Sequence, residues 1–328
     1  MPRIILLPGI ATIALGLAQV ETIAQFGLSA LPLAILLGMV WGHFDQRTLS
    51  DRDTQVGRFC QQRLLRAGII LFGFSLSLGQ MIAVGWQALL LDALVIITVF
   101  SVGTWIGIRV FKLHRDVAIL TSAGSAICGA AAVLATESVL KPQQQHVTVA
   151  IATVVLFGTL AMFIYPMIYQ LTGMSEPAFG IYIGSTVHEV AQAVAAGGAI
   201  SGATLQTAVV VKLIRVMLLA PFILMLSLYL TRTSTGQDTF RKIAIPWFVF
   251  GFIATSALNS FFSLPEQLLE LLSLGSQFCL ALAMAALGIQ TQWRTIQQAG
   301  FKPMILALLL FVLLIGGGYY LNQWLIVA

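Results

Sequence analysis

PAFGIYIGSTVHEVAQAVAAGGA (177–199) and, shortly after it, LQTAVVVKLIRVMLLAPFILMLSLYL (205–230) are two apolar segments of membrane-crossing length. Each carries ionisable side chains well inside it, His188 and Glu189 in the first and Lys212 and Arg215 in the second. Only 9% of the chain is charged. A charge at the bilayer centre costs about 3 kcal/mol or more, and such residues face a protein-lined or watery path. The pattern therefore points to a transport pathway across a membrane and leaves the transported species open.

Composition agrees. The chain has 328 residues, 59% of them hydrophobic, with a mean hydropathy of +0.95, whereas soluble domains sit at about 45–50% apolar. The excess falls into eleven segments, approximately 4–20, 26–42, 64–79, 86–108, 116–138, 147–171, 177–199, 205–230, 245–263, 266–290 and 303–326. A spanning helix needs about 20 apolar residues, or about 17 where flanking groups snorkel. The fold class expected is an all-α polytopic membrane protein. The chain reads as a single integral membrane domain, because the polar stretches 43–63 and 231–244 are too short to fold alone. Segment 4–20 follows Arg3 as a signal peptide might, but Pro8 and Gly9 interrupt it and no small-x-small cleavage site follows, so it reads as a short first span.

The net charge of +5 does not indicate nucleic acid, since the basic residues are spread over short loops without an aromatic-rich basic face. They report orientation instead. With eleven spans and a cytoplasmic N-terminus, the inside loops hold fourteen Lys and Arg, the outside loops only Lys141, and Lys212 and Arg215 are intramembrane. This puts the N-terminus inside and the C-terminus outside. Cys60, Cys128 and Cys279 form neither a disulfide framework nor a metal spacing.

Two segments depart from lipid-facing composition. The fifth contains TSAGSAICG (121–129) and the tenth SLGSQFC (273–279), small and hydroxylated where Leu and Ile would be expected. With 1–25 as an extra N-terminal helix, 26–171 and 177–328 make two five-helix halves with the unusual segment fourth in each. Five crossings reverse direction, so such a repeat is inverted, and paired Gly-interrupted helices mark a transporter's central site. Broken, crossing helices 5 and 10 are one expectation; close packing through small residues is the other. In the first case Ser122, Gly124, Ser125, Cys128, Gly129, Ser276 and Gln277 would line the substrate.

His188 and Gln192 share a helical face, with Glu189 about 100° round. The string is one residue short of the zinc-hydrolase motif, with Gln192 in place of the second histidine, and His43, His114 and His146 lie in or beside loops. No metal site and no cofactor is expected. Ser125 lacks the glycine that follows a nucleophile elbow, so an intramembrane hydrolase is a remote reading. Lys212 and Arg215, three apart, share a face; either both tether to Glu189, or Arg215 stays available to an anion with Gln192 beside it. Broken centres without Asp or Glu favour an oxyanion over a cation. His188, Glu189 and Lys212 would gate or couple protons.

Several strings are similar to the YeiH-type conserved inner membrane proteins, catalogued as candidate sulfate exporters: SAICGAAAV (125–133), ATVVLFGT (152–159), GSTVHEVAQ (184–192) and AMAALG (283–288). The resemblance covers nearly the whole chain. It implies two inverted five-helix repeats with crossing broken helices, as in cation/proton antiporters and bile-acid symporters. Its recurrent residues fall on Ser125, Cys128, Gly129, His188, Glu189, Gln192, Lys212 and Arg215. The chain departs from it at Ser75, where relatives often carry arginine. Together these readings predict a secondary transporter, not an enzyme, exporting a small anion such as sulfate. The rival is a cation/proton antiporter using Glu189. Expected partners are the anion, the lipid bilayer and a coupling proton or sodium ion, with a homodimer admitted and no nucleic acid.

Overall fold

The computed structural model describes residues 3–20, 29–44, 51–233, 246–262, 264–291 and 300–327, and within these every regular element is helical. In chain order they are α1 (Arg3–Leu17), α2 (Ala30–Phe44), α3 (Asp51–Phe59), which continues through a π turn at Cys60–Leu64 into α4 (Leu65–Phe72), α5 (Leu78–Ala83) and α6 (Gly85–Trp105). Then come α7 (Arg115–Ala126), α8 (Ala130–Leu140), α9 (Gln144–Thr172), α10 (Glu176–Thr186), α11 (Val190–Gly198), α12 (Gly202–Met217), α13 (Leu219–Thr233), α14 (Trp247–Phe261), α15 (Glu266–Gln290) and α16 (Phe301–Asn322). Stretches Gly85–Val110, Gln144–Thr172, Gly202–Leu230, Glu266–Ile289 and Phe301–Val327 are long and apolar enough to cross a bilayer.

The helices form two groups. Helices α1, α2, α3–α4, α14 and α15 pack among themselves, and α6–α13 with α16 form the other body. Helix α11 bridges them by leaning on α2 and α15. Gln206 adds a polar bridge, donating to Ser75 O at 3.2 Å and accepting from Gln80 Nε2 at 3.1 Å.

The segments expected to be the fifth and seventh spans do not cross. Helix α10 lies parallel to α12: Gly180 backs onto Thr204 and Thr207, Gly184 onto Ala208 and Val211, and Val187 O meets Lys212 and Arg215. Beyond the break at Val187–Glu189 the chain returns, so that Gly197 again faces Thr204 and Leu205, and Ser201 Oγ donates to Glu176 Oε2 at 2.7 Å. A spanning 177–199 would hold those ends about 30 Å apart. The α10–α11 pair is a re-entrant hairpin.

Helices α7 and α8 repeat the construction. Helix α7 runs antiparallel to α6, with Gly107 against Ala118 and Gly103 against Ser122. After the break at Ile127–Gly129, α8 comes back to the level at which α7 began, where His146 of α9 meets Asp116 at 3.5 Å. Leu120, Val133, Val147, Ala150 and Val154 fill the space between the two arms and α9. Helix α9 then carries the chain to the other face, where α10 enters. The two units, Arg115–Thr172 and Glu176–Thr233, are each a broken hairpin followed by a long helical stretch. Arms of 12 and 11 residues reach about 17 Å, half of a bilayer core.

The tenth segment, one of the two expected to break, is an unbroken helix. Its small residues serve close packing. A side chain at Gly38 would collide with Ala285 O, one at Gly42 would sit 2.6 Å from Ile289 O, and Gly288 abuts Ile35 O, so α2 and α15 meet backbone to backbone. Ser276 Oγ donates to Gly68 O of α4 at 2.8 Å. The broken segments therefore stand fourth in 26–171 and first in 177–328, and the two five-segment halves do not repeat each other's order.

Candidate functional site

A helix interrupted in a bilayer leaves carbonyls orphaned at the end of one arm and N–H groups orphaned at the start of the next. Two hairpins with touching tips create two ends of each kind. The side chains singled out by sequence resolve all four.

Helix α12 passes both tips and supplies cations to both carbonyl ends. Arg215 donates from Nε to Ala126 O at 3.0 Å, from Nη2 to Ala126 O at 2.6 Å and Ser125 O at 3.2 Å, and from Nη1 to Val187 O at 3.4 Å. Lys212 Nζ donates to Ile127 O at 3.0 Å and to Val187 O. Both side chains are fully buried. Positive charge at the negative ends of α7 and α10 is the favourable arrangement for the helix dipole. Among the described residues neither cation lies within ion-pair distance of a carboxylate, so the tether to Glu189 admitted from sequence is absent. Asp92 of α6 is also fully buried and near enough to feel both cations.

The two N–H ends meet at Glu189. Its Oε1 accepts from Ala130 N, the first amide of α8, at 3.2 Å, and Glu189 itself occupies the N-cap position of α11. Gln192 Oε1 accepts from Glu189 N at 3.0 Å, closing the turn, while Gly158 of α9 gives the amide room. The backbone of the first tip is fixed by Gly129, with φ +64°, where an added Cβ would sit 2.5 Å from Glu189 Cγ. A carboxylate between two helix N-termini occupies the place an external anion would take. It is partly exposed, while residues 185–188 and 190–197 around it are buried.

Of the expected site residues, the tips bring together Ser125, Cys128, Gly129, His188, Glu189, Gln192, Lys212 and Arg215. Ser125 Oγ, both ring nitrogens of His188 and Gln192 Nε2 are buried without a protein partner, as are Thr121 and Ser185, so the centre holds more polar capacity than it uses internally. Ser122 instead packs on Gly103, and Gly124 lets Val133 and Val154 approach. Ser276 and Gln277 belong to α15, where Gln277 Nε2 donates only to Ser273 Oγ at 3.4 Å. Ser185, on the face toward Asp92, had no signal beyond being a hydroxyl in an apolar run.

The profile of the family described as Conserved hypothetical protein 698 matches residues 2–307. The chain belongs to this family. It is similar to the UPF0324 inner membrane protein YeiH of Escherichia coli strain K12, 45% identical over 98% of this chain and 93% of that protein. It is likewise similar to a UPF0324 membrane protein of Haemophilus influenzae, 44% identical over 95% of this chain and 94% of that protein. No solved structure matches. With its apolar helices and these relatives, the chain is a polytopic membrane protein of that family.

Proposed function

We propose that the protein is a secondary active transporter, not an enzyme, that moves a small anion, sulfate or a related sulfur oxyanion, across the bacterial inner membrane by alternating access. The observation that carries this reading is the convergence of the amide ends of α8 and α11 on the single carboxylate of Glu189. The site has the chemistry of an anion seat, and the protein's own anion fills it. A substrate oxyanion and an ionised Glu189 would repel each other there, so substrate entry favours a Glu189 that has swung away or taken a proton. His188, the preceding residue, has two ring nitrogens without a protein partner and is the candidate to pass that proton. Lys212 and Arg215 spend their donors on carbonyls, so they would hold the tips and bias the field without gripping substrate.

Alternating access has a simple source in this layout. The hairpins enter from opposite faces and form an inverted pair, so withdrawing one tip at a time exposes the seat to one side or the other. Orientation follows from counting. With two re-entrant hairpins nine helical stretches cross, and Lys141 moves to the side of Arg115. All fifteen Lys and Arg outside the membrane then fall on one face. Under the positive-inside rule that face is cytoplasmic, with the N-terminus inside and the C-terminus outside.

The test is radiolabelled sulfate flux in proteoliposomes under imposed pH gradients. Wild type is expected to show saturable, gradient-responsive flux. Glu189→Gln, which keeps the shape and an acceptor for Ala130 N, is expected to keep exchange and lose the response to the gradient. Absence of flux under every gradient would sink sulfate as the substrate. Sodium-driven proton flux, indifferent to sulfate and abolished in Glu189→Gln, would establish the cation/proton antiporter instead.

A further inference from the structure

His114, Asp116 and His146 carry an inference independent of the central site. Read as a spanning segment, 116–138 puts His114 and His146 on opposite faces of the membrane. The re-entrant hairpin puts them side by side: His114 precedes α7, Asp116 lies in its first turn, and His146 lies in the first turn of α9. Asp116 Oδ2 is 3.6 Å from His114 Nδ1 and 3.5 Å from His146 Nδ1, and the two imidazole centroids are 4.4 Å apart. One ligand atom from each residue lies within 4.8 Å of the other two. His146 is only 15% exposed and its Nδ1 is buried without a hydrogen-bond partner, while His114, at 60%, opens the cluster to solution.

We propose that this triad is a divalent transition-metal site, with zinc the fitting occupant. Bonds of about 2.0–2.1 Å place neighbouring ligands of a tetrahedron about 3.3 Å apart, so the His146–Asp116 separation is already near the required value, while His114, whose Nδ1 accepts from Asp116 N at 3.3 Å as the cap of α7, would give up that cap or turn its other ring nitrogen to the ion. Two neutral imidazoles and one carboxylate suit zinc, cobalt, nickel or ferrous iron and disfavour magnesium and calcium, which prefer oxygen-only shells. The exposed side of His114 leaves the remaining coordination position to water. The ion would join the start of the first hairpin arm to the helix that follows the second arm, and so staple the base of the hairpin.

The experiment uses full-length protein in detergent, purified through an affinity tag without histidines and titrated with Co²⁺ and Zn²⁺. Wild type is expected to bind about one Co²⁺ per chain with a visible d–d band that Zn²⁺ displaces, and its melting temperature is expected to rise with Zn²⁺. His146→Ala and the shape-preserving Asp116→Asn should each weaken binding at least about 100-fold, beyond the about 10–100-fold expected for losing an outer-shell group, and should remove the zinc-dependent rise while remaining monodisperse. No saturable binding by wild type, or equal binding by wild type and both variants, would overturn the proposal. The readouts do not involve transport, so they stand or fall apart from the anion seat.

Discussion

Arg215→Met is the sharpest test of how the hairpin tips are held. Arg215 makes four hydrogen bonds to three carbonyls on two different arms, Ala126 and Ser125 of α7 and the Val187 that ends α10. Charge-assisted bonds contribute about 1.5–3 kcal/mol each in soluble proteins, but interhelical bonds in membranes average about 0.6 and reach about 1.7. At about 1 kcal/mol each, the four sum to about 4. Methionine fills similar volume, so little of the loss is cavity; the exposed carbonyls and an Asp92 left with one cation fewer push the value up, while removal of a desolvated charge pushes it down. The expected net loss is about 3–4 kcal/mol. Arg215→Lys keeps the charge but lacks the fork that reaches both arms, and should lose about half as much. Reversible unfolding in bilayers or mixed micelles measures both. A loss below about 1 kcal/mol for Arg215→Met would refute the idea that this side chain ties the tips together, and equal losses for Met and Lys would refute the forked geometry while leaving the tie.

Two further predictions address the hairpins themselves. In a background lacking Cys60, Cys128 and Cys279, Arg115→Cys and Lys141→Cys should both react with an impermeant maleimide from the same side of sealed vesicles, and Ser175→Cys only from the other; opposite-side labelling of 115 and 141 would restore a spanning fifth segment. Gly129→Ala forces a side chain into φ +64° and against Glu189 Cγ at 2.5 Å, so the same unfolding measurement should show a loss of about 3 kcal/mol, with sulfate flux reduced at least tenfold; a near-neutral variant would mean that the tip is looser than drawn.

The contrast between segments 5 and 10 shows what sequence could and could not decide. Both contain Gly-Ser-x-x-Cys, at 124–128 and 275–279, yet only the first breaks. The next residue separates them. Gly129 can take positive φ and end a helix; Leu280 cannot without strain, so the chain stays helical and its small residues become a seam. The break in segment 7 has no glycine at all. Its signal is Glu189-x-x-Gln192, the spacing of a helix start in the middle of an apolar run, where ionisable residues also read as chemistry. Apolar length alone could not expose the re-entrance, because two arms and a turn fill as many residues as one span.

One sequence observation did contain the topology. Lys141 was the single exception to an otherwise one-sided distribution of positive charge, and an isolated exception is easily tolerated as noise. Yet one Lys on the wrong face has a definite structural meaning when the segment before it has a glycine at its centre and the chain has a second segment of the same kind further on. Turning both segments back on themselves moves Lys141 across, leaves the side of every other Lys and Arg unchanged, and preserves both termini. No other pair of changes among the eleven segments does so while also bringing His114 beside His146 and Glu176 beside Ser201. The charge count, the histidine cluster and the buried Arg215 are therefore three consequences of one cause. A hairpin that enters and leaves by the same face must put its base residues together, leave its carbonyl ends in the bilayer, and draw a cation there to meet them.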